Sequence, residues 1–257
     1  MTTKITSLND LIAWNLENTE GERRRFLFRG VSDSSFKLIP KISRSIDSTQ
    51  PVTPDVAIDR FKKLKEYLSV YLPAYGFDFN GFELNERLWK QLFVAQHYGA
   101  PTNLLDFTRN PAVAAFFASQ NAHSDGRIYA VQIHERSQSR DFNIVPYGDI
   151  VKKDPFKMEE TFFFVVPPKS DKRILAQVSV FAFCRPSEVC SPLDNLGYID
   201  PNFHDQPGAL HIFEIAKSSK QKILEELNKV GINSLSLFPD VGGLGSFLEW
   251  KLLTKYR

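Results

Sequence analysis

Three polar side chains stand at the ends of two apolar runs, where burying them is costly unless something uses them. Arg29 follows the apolar residues 26–28, and Asp106 and Thr108 end a run that starts at Leu104. The planar guanidinium of an arginine can hold a phosphate or a carboxamide through paired hydrogen bonds. Side chains two residues apart on a strand face the same way, so Asp106 and Thr108 are predicted to share one site.

Each of these residues also has a structural interpretation. Asp106 is predicted to hold the free amides of the helix that follows it. Arg29 is predicted to be buried in an ion pair, with Asp106 as its partner, because a buried charge needs a counter-charge. Gly30 suits both interpretations, since a residue without a side chain lets another backbone or a ligand approach closely.

Two further residues extend this polar cluster. His97 falls in the last turn of a predicted helix, where an imidazole serves either the exposed carbonyls or a ligand. Gln177 lies in the apolar run 173–184, as a sheet hydrogen-bonding residue or as a site residue. No second histidine stands at helical spacing from His97, so no zinc site is predicted. The residues alone indicate a polar cluster on an apolar scaffold and define no reaction.

The elements that position this cluster follow from hydrophobic periodicity and from chain breakers. Helices are predicted over residues 7–17, 53–72, 82–98, 111–119, 218–230 and 244–254. Strands are predicted over residues 26–30, 104–108, 126–133, 162–166, 173–184, 209–215 and 233–237. Asn110 should cap the helix that begins at Pro111. This order predicts an α+β fold in one domain, residues 1–257, with a helix-rich insertion at about residues 45–98.

Composition excludes several classes of protein. The 257 residues are 42% hydrophobic and 24% charged, and the net charge of +2 is too small to indicate a nucleic-acid binder by itself. Two cysteines, Cys184 and Cys190, do not make a disulfide framework, which predicts a reducing, cytoplasmic location. No signal sequence and no apolar run of about 20 residues is present, so no membrane association is predicted. The glycine motifs of the Rossmann fold and of the P-loop are absent.

Three stretches together resemble the FRG-domain family, which is named for a Phe-Arg-Gly tripeptide. The tripeptide here is Phe28-Arg29-Gly30, and QHYGAPTNLLDFTRNPAVAAFFA is similar to the family's QHxGxPTRLLDWT pattern. The third stretch combines RILAQVSVF with KILEELNKVGINSLSLFPDVGGL. The chain departs from the pattern at Asn103, which replaces an arginine, and at Phe107, which replaces a tryptophan. Val178-Ser179 replaces a glycine-bearing pair.

FRG domains in turn resemble the ADP-ribosyltransferases, which implies N-terminal helices and a split, mixed β-sheet that clamps NAD in a cleft. Under this resemblance Arg29 would hold the phosphate or nicotinamide side of NAD. Gln177 falls near the strand of the transferases' catalytic glutamate. Since an amide cannot act as a carboxylate, the acid is sought at Asp106, Asp240 and Glu249, in that order. The implied catalytic residues are Arg29, Asp106 and Gln177, and the implied NAD contacts are Arg29, Gly30, His97, Thr102, Asp106 and Thr108.

The implied reaction needs an anion holder and a carboxylate. Nicotinamide leaves from a ribose that develops oxocarbenium character. A carboxylate stabilises that charge, an arginine fixes the pyrophosphate, and no metal is required. The resemblance thus implies an NAD-dependent ADP-ribosyltransferase, a bacterial toxin or phage-defence effector that modifies nucleic acid or protein and has a neutralising antitoxin partner. The alternative is a non-catalytic FRG binding module, which the glutamine at position 177 favours.

Overall fold

The computed structural model describes residues 2–19, 25–45, 52–133, 144–168, 171–188 and 210–253. The strands are β1 (Thr2–Ile5), β2 (Arg25–Val31), β3 (Leu104–Thr108), β4 (Gly126–Ile133), β5 (Ile144–Val145), β6 (Phe162–Val165), β7 (Ser179–Cys184) and β8 (Leu210–Ile215). The helices are α1 (Leu8–Thr19), α2 (Pro54–Ala74), α3 (Leu84–His97), α4 (Pro111–Ala118), α5 (Tyr147–Ile150), α6 (Lys172–Ala176), α7 (Lys217–Lys229), α8 (Ser234–Leu237) and α9 (Val241–Leu253).

The eight strands form one mixed sheet in the order β1-β8-β4-β2-β3-β7-β6-β5. The β1–β8 and β5–β6 pairs are parallel, and the other neighbours are antiparallel. The predicted α+β class is therefore confirmed. Helices α2 and α3 fall in the predicted helix-rich stretch at residues 45–98. Cys184 is a buried free thiol, and Cys190 lies outside the described residues.

The sheet is nearly divided at its centre. Strands β2 and β4 pair from Arg25↔Ile133 to Val31↔Arg127, whereas β2 and β3 share the single pair Phe28↔Thr108. A continued antiparallel ladder would next pair Gly30 with Asp106, and this pair is not formed. The two halves of the sheet thus diverge at the residues that the sequence singles out.

Each half of the sheet has one face covered by helices, with an apolar cluster beneath them. A third apolar cluster, shared by both halves, covers the opposite face of the sheet. Helices α1, α4 and α7 pack on the β1-β8-β4-β2 half, and α2 and α3 pack on the β3-β7-β6 part of the other half. Alternation along β2 sends Phe28 to the α4 side and Leu27 to the cluster that both halves share. The divergence between β2 and β3 therefore lies beneath the boundary between two helical layers.

Local signals explain the elements that flank this boundary. Asn110 caps α4, since its side-chain oxygen accepts a hydrogen bond from the Ala112 amide at 2.9 Å, and Pro111 takes the first helical position. Gly99 follows α3 with a φ of 79°, a left-handed conformation that glycine adopts without strain. The cap predicted at Asn110 is therefore confirmed.

The prediction of one strand over residues 173–184 is wrong for its first half. Asp171 accepts a hydrogen bond from the Arg173 amide at 2.8 Å and so caps the short helix α6. Gln177 ends that helix and Val178 forms a turn with a φ of 48°, before β7 begins at Ser179. Val178 stands in the left-handed region that favours glycine, at the position where the sequence departs from the family's glycine-bearing pair.

The prediction of a strand over residues 233–237 is also wrong. The Asn233 side chain accepts hydrogen bonds from the Leu235 and Ser236 amides at 3.0 and 3.1 Å, and Ser236 Oγ accepts from the Asn233 amide at 3.0 Å. This capping box starts helix α8 instead. The terminal helix α9 begins at Val241, three residues before the predicted start.

None of the helices in the part of the chain that the structure describes is long and apolar enough to cross a membrane.

Candidate functional site

A cleft of about 230 Å³ opens where β2 and β3 diverge. Its walls come from β2, β3 and α4, from the end of α3, and from the α6–β7 turn. Among the predicted site residues, Arg29, Gly30, His97, Asp106, Thr108 and Gln177 line it. Thr102 does not line it and is fully buried.

Arg29 bridges the gap between the two strands. Its Nη1 donates a hydrogen bond to the backbone carbonyl of Asp106 at 2.7 Å and lies 3.6 Å from the Asp106 carboxylate. The guanidinium thus bonds the Asp106 carbonyl at the point where the pairing of Gly30 with Asp106 is missing. The predicted pairing of Arg29 with Asp106 is confirmed, although the closer contact is to the backbone.

The same guanidinium keeps one donor unused. Only 14% of the Arg29 side chain is exposed, and among the described residues its buried Nε has no hydrogen-bond partner. A buried donor without a partner costs about 1–3 kcal/mol. An acceptor supplied by a ligand would remove that cost.

Asp106 is oriented by Gln96, a residue that the sequence reasoning missed. Gln96 Nε2 donates to Asp106 Oδ2 at 2.7 Å, and Thr102 Oγ1 contacts Gln96 Oε1. The Asp106 side chain remains 52% exposed. The carboxylate is therefore held by Gln96, which also lines the cleft, and remains half-exposed.

Thr102→Val is expected to lower the free energy of unfolding by about 1–2 kcal/mol. The Leu104 amide donates a hydrogen bond to Thr102 Oγ1 at 3.1 Å, and valine leaves this buried amide without an acceptor. Urea denaturation measures this change, with wild-type protein as the reference. A Thr102→Val variant that is as stable as the wild type but no longer binds NAD would contradict the structural role of Thr102 and favour a direct contact with NAD.

Thr108 and Asn110, rather than Asp106, hold the start of α4. Thr108 Oγ1 accepts from the Asn110 amide at 3.0 Å and donates to the Gln177 carbonyl at 2.7 Å. The prediction that Asp106 serves these amides is therefore wrong. Gln177 donates its side-chain amide to the Leu237 carbonyl at 3.1 Å and so ties the cleft wall to α8.

A second arginine lines the cleft and was missed by the sequence reasoning. Arg173 Nε donates to Asp240 Oδ2 at 2.7 Å, and its guanidinium lies 5.6 Å from the Tyr98 ring centroid and 5.4 Å from that of Phe238. Both rings lie within cation–π distance of this guanidinium, and Nη2 also contacts Asp240 Oδ2, so Arg173 is held in place by Asp240 and by aromatic contacts.

Of the three candidate acids, Asp106 lines this cleft. Asp240 accepts from the Gly243 amide at 3.0 Å, and this bond, followed by Arg173, holds the pKa of its carboxyl below the ordinary value. Asp240 therefore holds an amide at the start of α9 and is engaged by Arg173. Glu249 lines a different cleft, beside Phe116. Asp106 is therefore the best placed of the three.

Positive charge accumulates around Arg29. Burial first, and the nearby Arg29 charge second, hold the pKa of Arg44 below its ordinary value, whereas Asp106 acts in the opposite direction. Arg173 adds another cation to the cleft wall. Asp240 offsets Arg173 and Asp106 lies beside Arg29, so the unused Nε donor of Arg29, rather than an excess of positive charge, favours an anionic ligand.

Comparison with known proteins finds one family model that matches part of the chain. Residues 24–127 match the family model for the FRG domain. This match supports the resemblance of that part of the chain to the FRG-domain family. The matched region holds Arg29, His97, Asp106 and the helices between them, while Arg173 and Gln177 lie beyond it. No curated protein and no solved structure matches the chain.

Proposed function

We propose that this chain is an NAD-dependent ADP-ribosyltransferase whose sheet is split in the manner of that enzyme class. One observation carries the proposal: a buried guanidinium with an unused donor and a half-exposed carboxylate meet at the mouth of a cleft between two sheet halves. Arg29 would bind the pyrophosphate, and Asp106 would face the ribose.

The walls of the cleft suit the nicotinamide end of NAD. Phe28, Phe117 and Phe238 offer apolar surface for a planar ring. A volume of about 230 Å³ lies below the range of about 300–1,000 Å³ that encloses a drug-sized ligand, so the adenosine end would lie outside. This orientation puts the phosphates beside the arginines at the mouth.

Asp106 would act on charge that develops during the reaction. As the bond between C1′ and nicotinamide breaks, the ribose gains positive charge. A carboxylate fixed beforehand by Gln96 stabilises this charge without reorganising, which is why such preorganisation lowers a barrier.

The proposal is tested by calorimetric titration with NAD, followed by transfer of radiolabel from NAD to purified RNA, to DNA and to lysate protein. Heat of binding and label in one of these fractions are expected for the wild type, and both should be lost in Arg29→Ala. A folded wild-type protein that gives neither heat nor label would rule the transferase out.

A non-catalytic binding module is the second candidate, and the engaged carboxylates favour it. Asp240 is held by Arg173, and an amide stands at position 177. In this case the wild type binds a macromolecular partner without consuming NAD, and Arg29→Ala keeps that binding. Partner capture with both proteins, in the presence and absence of NAD, separates the two functions.

A further inference from the structure

His97 is a buried imidazole in the wall of the cleft. It ends α3, beside Gln96, and its side chain is 8% exposed. The turn at Gly99 stops the helix directly after it and so holds the ring at the boundary of the two helical layers. A histidine buried at such a depth needs a reason beyond the solvation of helix carbonyls.

One of the two ring nitrogens, Nε2, lies beside a carboxylate. Nε2 lies 3.3 Å from Asp171 Oδ1, although the alignment is not that of a hydrogen bond. Asp171 is itself held in place, because Oδ1 accepts from the Arg173 amide at 2.8 Å. A fixed carboxylate beside Nε2 favours the tautomer with its proton there, which leaves the lone pair on Nδ1.

Among the described residues, charged groups from several elements act on the pKa of His97. Burial lowers the pKa of His97, and this effect outweighs Asp171, which raises it. Arg173, which lies in the helix α6 that Asp171 caps, lowers the pKa of His97 further. Asp106 on β3 and Asp240 before α9 raise it. The lowered pKa keeps the imidazole neutral, and therefore able to accept a proton, at neutral pH.

We propose that His97 is the proton acceptor of the transfer reaction, with Asp171 as the residue that positions it. This inference rests on the proposed function. The bond between C1′ of the ribose and the nicotinamide nitrogen breaks, and its electron pair stays on nicotinamide, which leaves neutral. The attacking oxygen of water or of the acceptor forms the new bond to C1′, and its proton moves to Nδ1 of His97. The imidazolium then releases this proton to solvent.

Asp106 and His97 have separate tasks in this scheme. Asp106 stabilises positive charge on the ribose, whereas His97 takes the proton from the nucleophile. The division matches the surroundings, since the Asp106 side chain is 52% exposed among cations and the His97 side chain is buried. Two groups with different surroundings can thus carry out different proton chemistry at one pH.

The test follows nicotinamide release from NAD with water as the acceptor, over a range of pH. His97→Gln is expected to bind NAD as the wild type does and to release nicotinamide roughly 100-fold more slowly or worse, the contribution typical of a general base. The wild-type rate should fall at pH values below the ordinary histidine pKa of about 6.5, and His97→Gln should lack this acid limb.

Two further variants separate this role from a structural one. Asp171→Asn removes a group that raises the pKa of His97, so the acid limb should move to lower pH. His211→Gln is the matched control: His211 is 8% exposed, burial lowers its pKa, and it bonds Thr3 Oγ1 away from the cleft. The control should keep the wild-type rate and pH profile.

The outcomes distinguish this inference from the function on which it rests. Nicotinamide release by His97→Gln at the wild-type rate, with the acid limb intact, overturns the role of His97 and leaves the transferase standing. A wild type that neither binds NAD nor releases nicotinamide overturns both. If His97→Gln does not fold, nitrogen NMR of the wild type still decides, because a proton on Nδ1 at neutral pH would contradict the proposal.

Discussion

Arg29→Lys should reduce label transfer from NAD by roughly 100-fold while the protein stays folded. An ammonium keeps the charge but cannot bond the Asp106 carbonyl and a phosphate in one plane, as a guanidinium does. Each hydrogen bond to a charged group is worth about 1.5–3 kcal/mol, and about 1.4 kcal/mol corresponds to a factor of ten. Losing one or two such bonds therefore accounts for the expected drop.

The structure explains why the loss should appear in ligand binding more than in stability. Arg29 Nη1 donates a hydrogen bond to the Asp106 carbonyl at 2.7 Å, whereas Nε donates to none of the described residues. A lysine can still reach one acceptor, so the protein contact can survive while the ligand contact is lost. Calorimetry with NAD should show weaker binding, and thermal melting should show a small change.

Arg127→Lys supplies the matched control. The Arg127 side chain is 18% exposed and its Nη2 lies 3.1 Å from Glu214 Oε1, where β4 pairs with β8 outside the cleft. Its replacement should leave NAD binding and transfer unchanged. Equal losses in the two variants would show that any disturbed arginine on the sheet impairs the protein, and would remove the argument for an Arg29 site.

The part of the site that the sequence predicted is encoded by short-range signals. Asp106 and Thr108 alternate along one strand, and Asn110-Pro111 starts a helix, so neighbours in sequence determine both features. The pairing of Arg29 with Asp106 could also be anticipated, because a charge beside an apolar strand needs a partner.

The part that the sequence did not reveal depends on caps and on long-range contacts. The sequence of residues 173–184 alternates as in a strand. Asp171 nevertheless caps the short helix α6, so the first of these residues are helical despite the strand-like periodicity. Arg173 and Asp240 are 67 residues apart, and neither has a spacing signal that points to the other. Only the packing of α8 against the cleft brings them together.

Gly30→Ala is expected to cost at least about 3 kcal/mol of unfolding free energy, at the upper end of overpacking effects. A Cβ at this position would lie 1.9 Å from the Ala114 carbonyl oxygen and 2.8 Å from the Ala118 nitrogen. Both obstacles are backbone atoms of α4, so the helix must move away from β2. The close approach predicted for Gly30 is thus made by this helix, although Gly30 also lines the cleft.

Movement of α4 would also open the site, because Val113, Ala114 and Phe117 of this helix form one wall of the cleft. Urea denaturation should therefore show a lower midpoint for Gly30→Ala, and any protein that folds should bind NAD more weakly. Gly245→Ala is the control, since the residue lies inside α9 and, apart from its chain neighbours and the backbone of that helix, no described atom lies within 4 Å of its added Cβ. That replacement should stabilise the protein by about 0.5–1 kcal/mol, as alanine does in a helix interior. If Gly30→Ala proved as stable as Gly245→Ala, α4 would not be packed against β2 as the structure has it, and the cleft would lose that wall.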